Sequence, residues 1–217
     1  MDTCSHCSEV LTSPLACGGC ESLFPVDGPL SPFEVFGLKP SARIDSSTLR
    51  KRLLELQRLM HPDFHGAAGA KLQGIAEHNT AELNAAFEFL RDEAKRASFI
   101  VQYLGGPSES EDRQMPQAFL MEVMEWNESL EELRGKGPKD PEVLIALTDF
   151  RAQLNLERAR LLEATLDSLE VELARDLHGR ETLSTLRRDL NAIRYIDRAL
   201  SEVASITLAA EVAGQSN

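Results

Sequence analysis

Apolar residues recur at helical spacing from Leu49 to Met60: Leu49, Leu53, Leu56 and Met60 share one face, and Arg50, Lys51, Leu54 and Arg58 fall on the other. Asp45, Ser46 and Ser47 supply N-cap candidates ahead of this helix. Pro62 ends it, because proline lacks an N–H and pushes the preceding His61 out of the α region. After the loop Gly66 to Gly69, a second long helical pattern passes through Phe87, Leu90, Ala94, Ala97, Val101 and Leu104, and Gly105-Gly106-Pro107 closes it. Two amphipathic helices joined at a proline turn pack as an antiparallel hairpin. Upstream, Ser31-Pro32 reads as the cap and first position of a short helix whose apolar contacts are Phe33, Phe36 and Leu38.

The C-terminal half is helical again, with breaks expected at Gly135 to Pro138 and at Gly179. The middle helix is predicted from Pro141 to about Leu177, which at the standard rise is roughly 55 Å. Leu147, Leu154 and Leu161 repeat by sevens along it, and Leu162, Leu166, Leu169 and Leu173 continue the stripe. The last helix carries Leu186, Leu190, Ile193, Ile196, Leu200 and Val203. Short connections between three amphipathic helices predict an antiparallel three-helix bundle. Its first helix has a core stripe of Phe119, Val123, Trp126, Leu130 and Leu133, yet Leu120, Met121 and Met124 lie on another face that Glu125, Glu128 and Glu132 extend. Tyr195 falls about half a turn from its own helix's stripe. Periodicity leaves two readings open for these residues: a protein-binding patch rimmed by carboxylates, or packing against the preceding helical domain.

Charge narrows the function classes. The 217-residue chain has a net charge of −12, which argues against nucleic-acid binding. From Lys39 to Met60, however, six Lys or Arg stand against two acids, a +4 island suited to docking an acidic protein surface. No apolar run approaches a membrane span, and the N-terminus lacks the features of a signal peptide or an Arg-rich transit peptide. The expected location is the cytoplasm of a bacterium, or the mitochondrial matrix for a processed eukaryotic form.

All four cysteines fall in the first twenty residues, as Cys4-x-x-Cys7 and Cys17-x-x-Cys20. Two such knuckles complete a tetrahedral sulfur shell, and structural zinc is the expected occupant, with iron or a redox dithiol pair as alternatives. Gly18 and Gly19 are read as easing the backbone around the metal, and His6 as a spare group. The proline-rich stretch after Leu23 reads as a linker that would separate this element from the rest. The expected domains are a metal-binding element at 1–24, a linker at 25–31, a helical hairpin domain at 32–106, a linker at 107–117, the bundle at 118–210 and a disordered tail at 211–217.

His61-Pro62-Asp63, on a fixed turn at the end of a basic helix, resembles the signature of a J-domain. Together with Phe33-Glu34-Val35-Phe36-Gly37-Leu38, Leu83-Asn84-Ala85-Ala86-Phe87 with Leu90, Arg96-Ala97-Ser98-Phe99, Phe119-Leu120-Met121-Glu122 and Ile193-Arg194-Tyr195, it makes the chain closely similar to the HscB family over about residues 32 to 205. The tetracysteine start resembles the extension on animal mitochondrial members.

The resemblance implies an all-α fold in which a J-domain packs on a C-terminal three-helix bundle in an L-shape, here with a small N-terminal zinc knuckle. It implies a co-chaperone of iron–sulfur cluster biogenesis that is not itself an enzyme. Its partners would be a DnaK-class (HscA-like) chaperone, bound through Arg50, Lys51, Arg58, His61, Pro62 and Asp63, and an IscU-type scaffold, bound through Leu120, Met121, Met124, Glu125, Glu128, Glu132 and Tyr195. The implied metal ligands are Cys4, Cys7, Cys17 and Cys20. One departure is Phe64, where many J-domains carry Lys or Arg; it is similar to what some mitochondrial members show and puts in doubt only a charge contact at that point.

Three other readings stand beside this one. A general J-domain co-chaperone would serve a different client. His61, Asp63 and His65 alternate like the ligands of some metal-dependent hydrolases. A zinc-ribbon nucleic-acid module would need a basic surface near residues 1 to 30, where there is no Lys or Arg.

Overall fold

The computed structural model describes residues 3–26, 28–65, 69–136, 141–175 and 177–215, with backbone alone at 64–65, 134–136, 141 and 210–215. Among these, the regular structure is helical: α1 (Pro32–Val35), α2 (Ser46–Met60), α3 (Pro62–His65), α4 (Ala70–Leu90), α5 (Glu93–Tyr103), α6 (Gln117–Lys136), α7 (Pro141–Leu173) and α8 (Arg180–Gln215). The N-terminal stretch contributes isolated β-bridges, Thr3 to Val10, Ser13 to Ala16 and Ala16 to Leu23. The chain divides into two compact units, Met1–Arg96 and Ala97–Asn217.

In the first unit each helix boundary has a local cause. Ser31 caps α1 through a capping box: its hydroxyl accepts from the Glu34 N–H while the Glu34 carboxylate accepts from the Ser31 N–H, with Pro32 at the first helical position. Asp45 caps α2 by accepting from the Thr48 N–H at 2.7 Å. α2 then buries Leu49, Leu56 and Met60 and leaves Arg50, Lys51, Leu54 and Arg58 exposed, as the pattern predicts, while Leu53 of the expected stripe is half-buried. α4 faces it with Ala76, Asn79, Leu83, Ala86 and Leu90.

The expected second long helix is two helices. The chain breaks at Arg91 and Asp92, where the Asp92 carboxylate accepts from the Lys95 N–H at 3.1 Å and starts α5. A shared apolar period on both sides of this break hides it in the sequence. Arg96, buried next to the break, donates to the Ala42 carbonyl at 2.9 Å and to the Leu90 carbonyl, so it closes the end of α4 and the loop before α2 together. Burial lowers its pKa, which Glu93 and Asp92 partly offset.

The division between units falls after Arg96, inside α5, rather than at the expected boundary of 106. The second unit is the three-helix bundle. Its core takes Phe119, Val123 and Leu130 from α6, Val143, Leu147, Phe150 and Leu154 from α7, and Ala192, Ile196, Ala199 and Val203 from α8. Trp126 packs edge-on against Phe119 at 5.3 Å and against Phe150 at 6.4 Å. The expected break at Gly135 to Pro138 lies partly outside the described residues; α6 runs through Gly135. At the far end α8 continues to Gln215, so the expected disordered tail at 211–217 is helical over most of its length. α7 stops at Leu173, short of the expected Leu177.

Arg187 on α8 holds the start of this unit to the bundle. It is 1% exposed and donates to the Pro107 carbonyl at 2.9 Å, the Ser98 hydroxyl at 2.9 Å and the Ser98 carbonyl at 3.1 Å. Replacing it with Ala strands those acceptors and opens a void, so Arg187→Ala should cost the bundle about 2 to 4 kcal/mol. The single tryptophan, Trp126, lies in this unit, so urea unfolding followed by its fluorescence measures the loss directly.

Candidate functional site

The His61-Pro62-Asp63 turn begins where α2 has to end. His61 is extended, with φ −61 and ψ 124, and α3 restarts at Pro62. The Asp63 N–H donates to His61 Nδ1 at 3.2 Å, and Asp63 Oδ2 lies 3.7 Å from the same nitrogen. Both side chains face solvent, at 52% for His61 and 85% for Asp63. Beneath the turn, Met60 is fully buried and its carbonyl accepts from the Thr80 hydroxyl at 3.1 Å, which fastens the end of α2 to α4. Gln57 Nε2 donates to Asn84 Oδ1 at 3.1 Å one turn earlier. The side chains of Phe64 and His65 lie outside the described residues.

The four thiols meet as the spacing predicts. Their sulfurs all lie within 4.8 Å of one another, with Cys4 to Cys20 at 3.5 Å and Cys7 to Cys17 at 3.6 Å. A tetrahedral shell with Zn–S near 2.3 Å has an S···S edge of about 3.8 Å, so the donor set fits a metal ion. The protonation of the thiols bears on such binding. The Glu9 N–H favours the Cys7 thiolate, but lost solvation and hydrogen bonds to Cys17, Cys20 and Cys4 outweigh it and push the Cys7 pKa up to about 12. The hydroxyl and backbone N–H of Ser22 bring Cys20 down to about 6. Four thiolates this close cannot all ionise without a cation between them.

The knuckles turn at positions the sequence did not single out. The left-handed residues are Ser8, at φ 62, and Glu21, at φ 56, whose N–H groups return to the Cys4 and Cys17 carbonyls at 2.9 Å each. Gly18 has no such need, whereas a Cβ on Gly19 would meet the Glu9 carboxylate. His6 stands outside the sulfur cluster, with Nδ1 2.8 Å from the Ser22 hydroxyl.

The expected separation of this element from the hairpin is overturned. Leu15, Ala16 and Cys17 are fully buried and Leu23 nearly so, because the loop between the knuckles lies on the helical hairpin. Buried Asn79 of α4 donates through Nδ2 to the Leu15 carbonyl at 3.0 Å and to the Phe24 carbonyl at 2.9 Å. The Ser13 hydroxyl donates to the Val35 carbonyl at 2.8 Å, and Arg52 donates to the Thr12 carbonyl at 2.8 Å. A Cβ on Gly37, whose φ is +64, would stand 1.8 Å from that Thr12 oxygen. Phe24, the last residue of the expected metal-binding element, is thus held to α4, so that element and the hairpin pack as one domain.

On the bundle, Leu120, Met121 and Met124 project from α6 at 43%, 70% and 65% exposure, with Glu125, Glu128 and Glu132 exposed beside them. Tyr195 differs from the expected projecting side chain. It is half-buried, edge-on to Phe119 at 6.2 Å, and its hydroxyl donates to Asn127 Oδ1 at 3.0 Å. Only part of its ring adjoins the surface.

The family model described as the HSCB C-terminal oligomerisation domain matches residues 115–204. The co-chaperone protein HscB homolog of Shewanella halifaxensis (strain HAW-EB4) is 30% identical, covering 74% of this chain and 95% of the relative. The chain belongs to the HscB co-chaperone family. The HscB homolog of Pasteurella multocida (strain Pm70) is 32% identical over 64% of this chain and 80% of its own length. The crystal structure of the human HscB co-chaperone shares the fold, with a TM-score of 0.70 at 20% identity, covering 94% of this chain and 97% of that one.

The residues that reading by motif missed are Asn79 and Thr80, and Gly37, quoted within the Phe33 to Leu38 motif, has a close approach to Thr12 that the motif did not show. Asn79 left a trace: it interrupts an otherwise apolar helical period at 76, 79, 83, 86 and 90. A buried polar residue at such a position requires partners, and here they come from the thiol-bearing element.

Metal removal should therefore be felt in the hairpin. Chelation, or Cys7→Ser, should lower the thermal midpoint of the first unit by several degrees, with the circular dichroism of α2 and α4 lost together rather than the N-terminus alone. Asn79→Ala, which strands two carbonyls, should cost about 1 to 3 kcal/mol in the metal-loaded protein. Urea titration by circular dichroism checks the second value.

Proposed function

We propose that this chain couples a chaperone's ATP hydrolysis to one client, the scaffold of iron–sulfur cluster assembly. The observation that carries this reading is the His61-Pro62-Asp63 turn, with the His61 and Asp63 side chains in solvent at the end of a helix whose exposed face is Arg50, Lys51 and Arg58. The cationic face steers and holds the acidic surface of a DnaK-class (HscA-like) chaperone's ATPase domain. The turn, anchored from below by Met60 and Thr80, offers Asp63 and His61 without having to be ordered first, so less binding energy is lost on docking. Hydrolysis is accelerated by biasing the chaperone's conformation; the chain has no phosphate-binding loop of its own.

The bundle presents the client. Leu120, Met121 and Met124 form an apolar patch rimmed by Glu125, Glu128 and Glu132, and Tyr195 supports its edge, which suits an IscU-type scaffold protein. Zinc is the metal we assign to Cys4, Cys7, Cys17 and Cys20, as a structural ion: an all-thiolate closed shell leaves no open position for catalysis.

His61→Gln or Asp63→Asn should abolish stimulation of the chaperone's ATPase in single-turnover assays while leaving the melting profile unchanged. Stimulation retained by both variants would overturn the chaperone reading. Leu120→Ala, Met121→Ala and Met124→Ala combined should weaken scaffold binding by more than about tenfold, judged by calorimetry, since desolvated anchors commonly cost about 1 to 2 kcal/mol each. Tyr195 is better tested as Tyr195→Phe, because its ring carries part of the α6 to α8 packing.

A further inference from the structure

Next to Tyr195 the second unit contains a cavity of about 590 Å³ between the loop before α6 and the outer face of α8. Arg113 from the loop and Arg194 and Arg198 from α8 line it, against one carboxylate, Glu109. Glu109 is already paired with Arg194. Among the described residues neither Arg113 nor Arg198 has a hydrogen-bond or ion-pair partner, and both are exposed. In a protein of net charge −12, a concave site with two uncommitted guanidinium groups is an anomaly that calls for an anion.

The site is held in shape. Asn191, 9% exposed, donates to the carbonyls of Asp112 and Gln114 at 2.9 and 2.8 Å, on either side of Arg113. Arg188 adds an ion pair to Asp112 at 3.1 Å. The backbone that carries Arg113 is thus clamped to the helix that carries Arg198. Asn191 also lines the cavity, and its Oδ1 is buried without a partner. Inorganic phosphate would meet the arginines but is small against a cavity of this size. A peptide segment brings a carboxylate for the arginines and the bulk to fill the rest. Met115 and Tyr195 give the cavity an apolar side that adjoins α6.

We infer that this cavity receives an acidic segment of the protein bound on the Leu120, Met121 and Met124 face, an electrostatic second contact that fixes the partner's orientation. The inference rests on the client-binding reading given above. It assigns opposite chemistry to two parts of one surface: apolar anchors with acidic rims on α6, and a basic socket beside α8. A partner must match both at once, which raises specificity more than affinity.

The test is calorimetric titration of the full chain with an IscU-type scaffold at low and high salt. Arg113→Gln with Arg198→Gln should weaken binding about tenfold at low salt, and the deficit should shrink as salt rises. Arg151→Gln with Arg180→Gln removes the same charge from exposed sites elsewhere on the unit and should bind normally. Arg113→Lys with Arg198→Lys keeps the charge without the planar fork and should recover only part of the loss. Trp126 fluorescence melts confirm that each variant is folded.

If the glutamine pair binds like its charge control while the Leu120, Met121 and Met124 variant is weakened, the socket is refuted and the client face stands. If neither set weakens binding, both are refuted. If only the glutamine pair weakens it, the socket is supported and the client face on α6 fails. A parallel titration with inorganic phosphate, followed by amide resonances around Arg113, should show no saturation below about a millimolar. Tighter saturation would assign the cavity to a free anion and overturn the peptide inference.

Discussion

Burial of Met60 marks where α2 stops, and the exposure of the turn that follows depends on it. The side chain is fully enclosed, which contributes about 1.5 to 3 kcal/mol by transfer from water, and its carbonyl is held by Thr80. The next residue cannot remain helical because Pro62 follows it. His61 and Asp63 are therefore exposed at a point fixed by a core contact on one side and a proline on the other. Slipping α2 by one residue would rotate its basic face by about 100° and bury an arginine. The geometry of the turn and the direction of the cationic face are one constraint.

The metal-competent element belongs to the same packed body. Leu15, Ala16 and Leu23 cover the hairpin side opposite to solvent, and Asn79 reaches out of α4 to bind the chain before and after the second knuckle. Folding of the thiol cluster and of the hairpin thus share a core. Such coupling suits a small domain, whose limited apolar volume gains from a further segment packed against it.

Much of this was legible in the residues, and the exceptions have physical reasons. The stripe of α2, its Asp45 cap and the stop at Pro62 are local effects of period and backbone chemistry, so a sequence carries them openly. The sulfur cluster was legible for the same reason, because two short knuckles can converge on one centre. The break at Arg91 was not, since the apolar period continues across it and the compensating bond from Asp92 is one among many carboxylate options. The placement of the N-terminal element was hidden more deeply. Prolines at 25, 29 and 32 suggest a free linker, but whether an irregular segment docks depends on distant partners, here Asn79 and Gly37. Tyr195 was half right: its angular position marked it correctly as off the stripe, yet an aromatic ring spans enough arc to reach Phe119 as well.

Gly37 shows what this packing means for modularity. Its absent side chain is the space in which the Thr12 carbonyl sits, so a hairpin with any other residue there rejects this N-terminus, and an N-terminus without that close approach would leave a gap above Gly37. The cysteine-bearing segment cannot be gained or lost as a detachable cassette. A chimera joined at the proline-rich stretch would have to keep the glycine, Asn79 and the loop between the knuckles matched, or it would carry two surfaces that no longer fit each other.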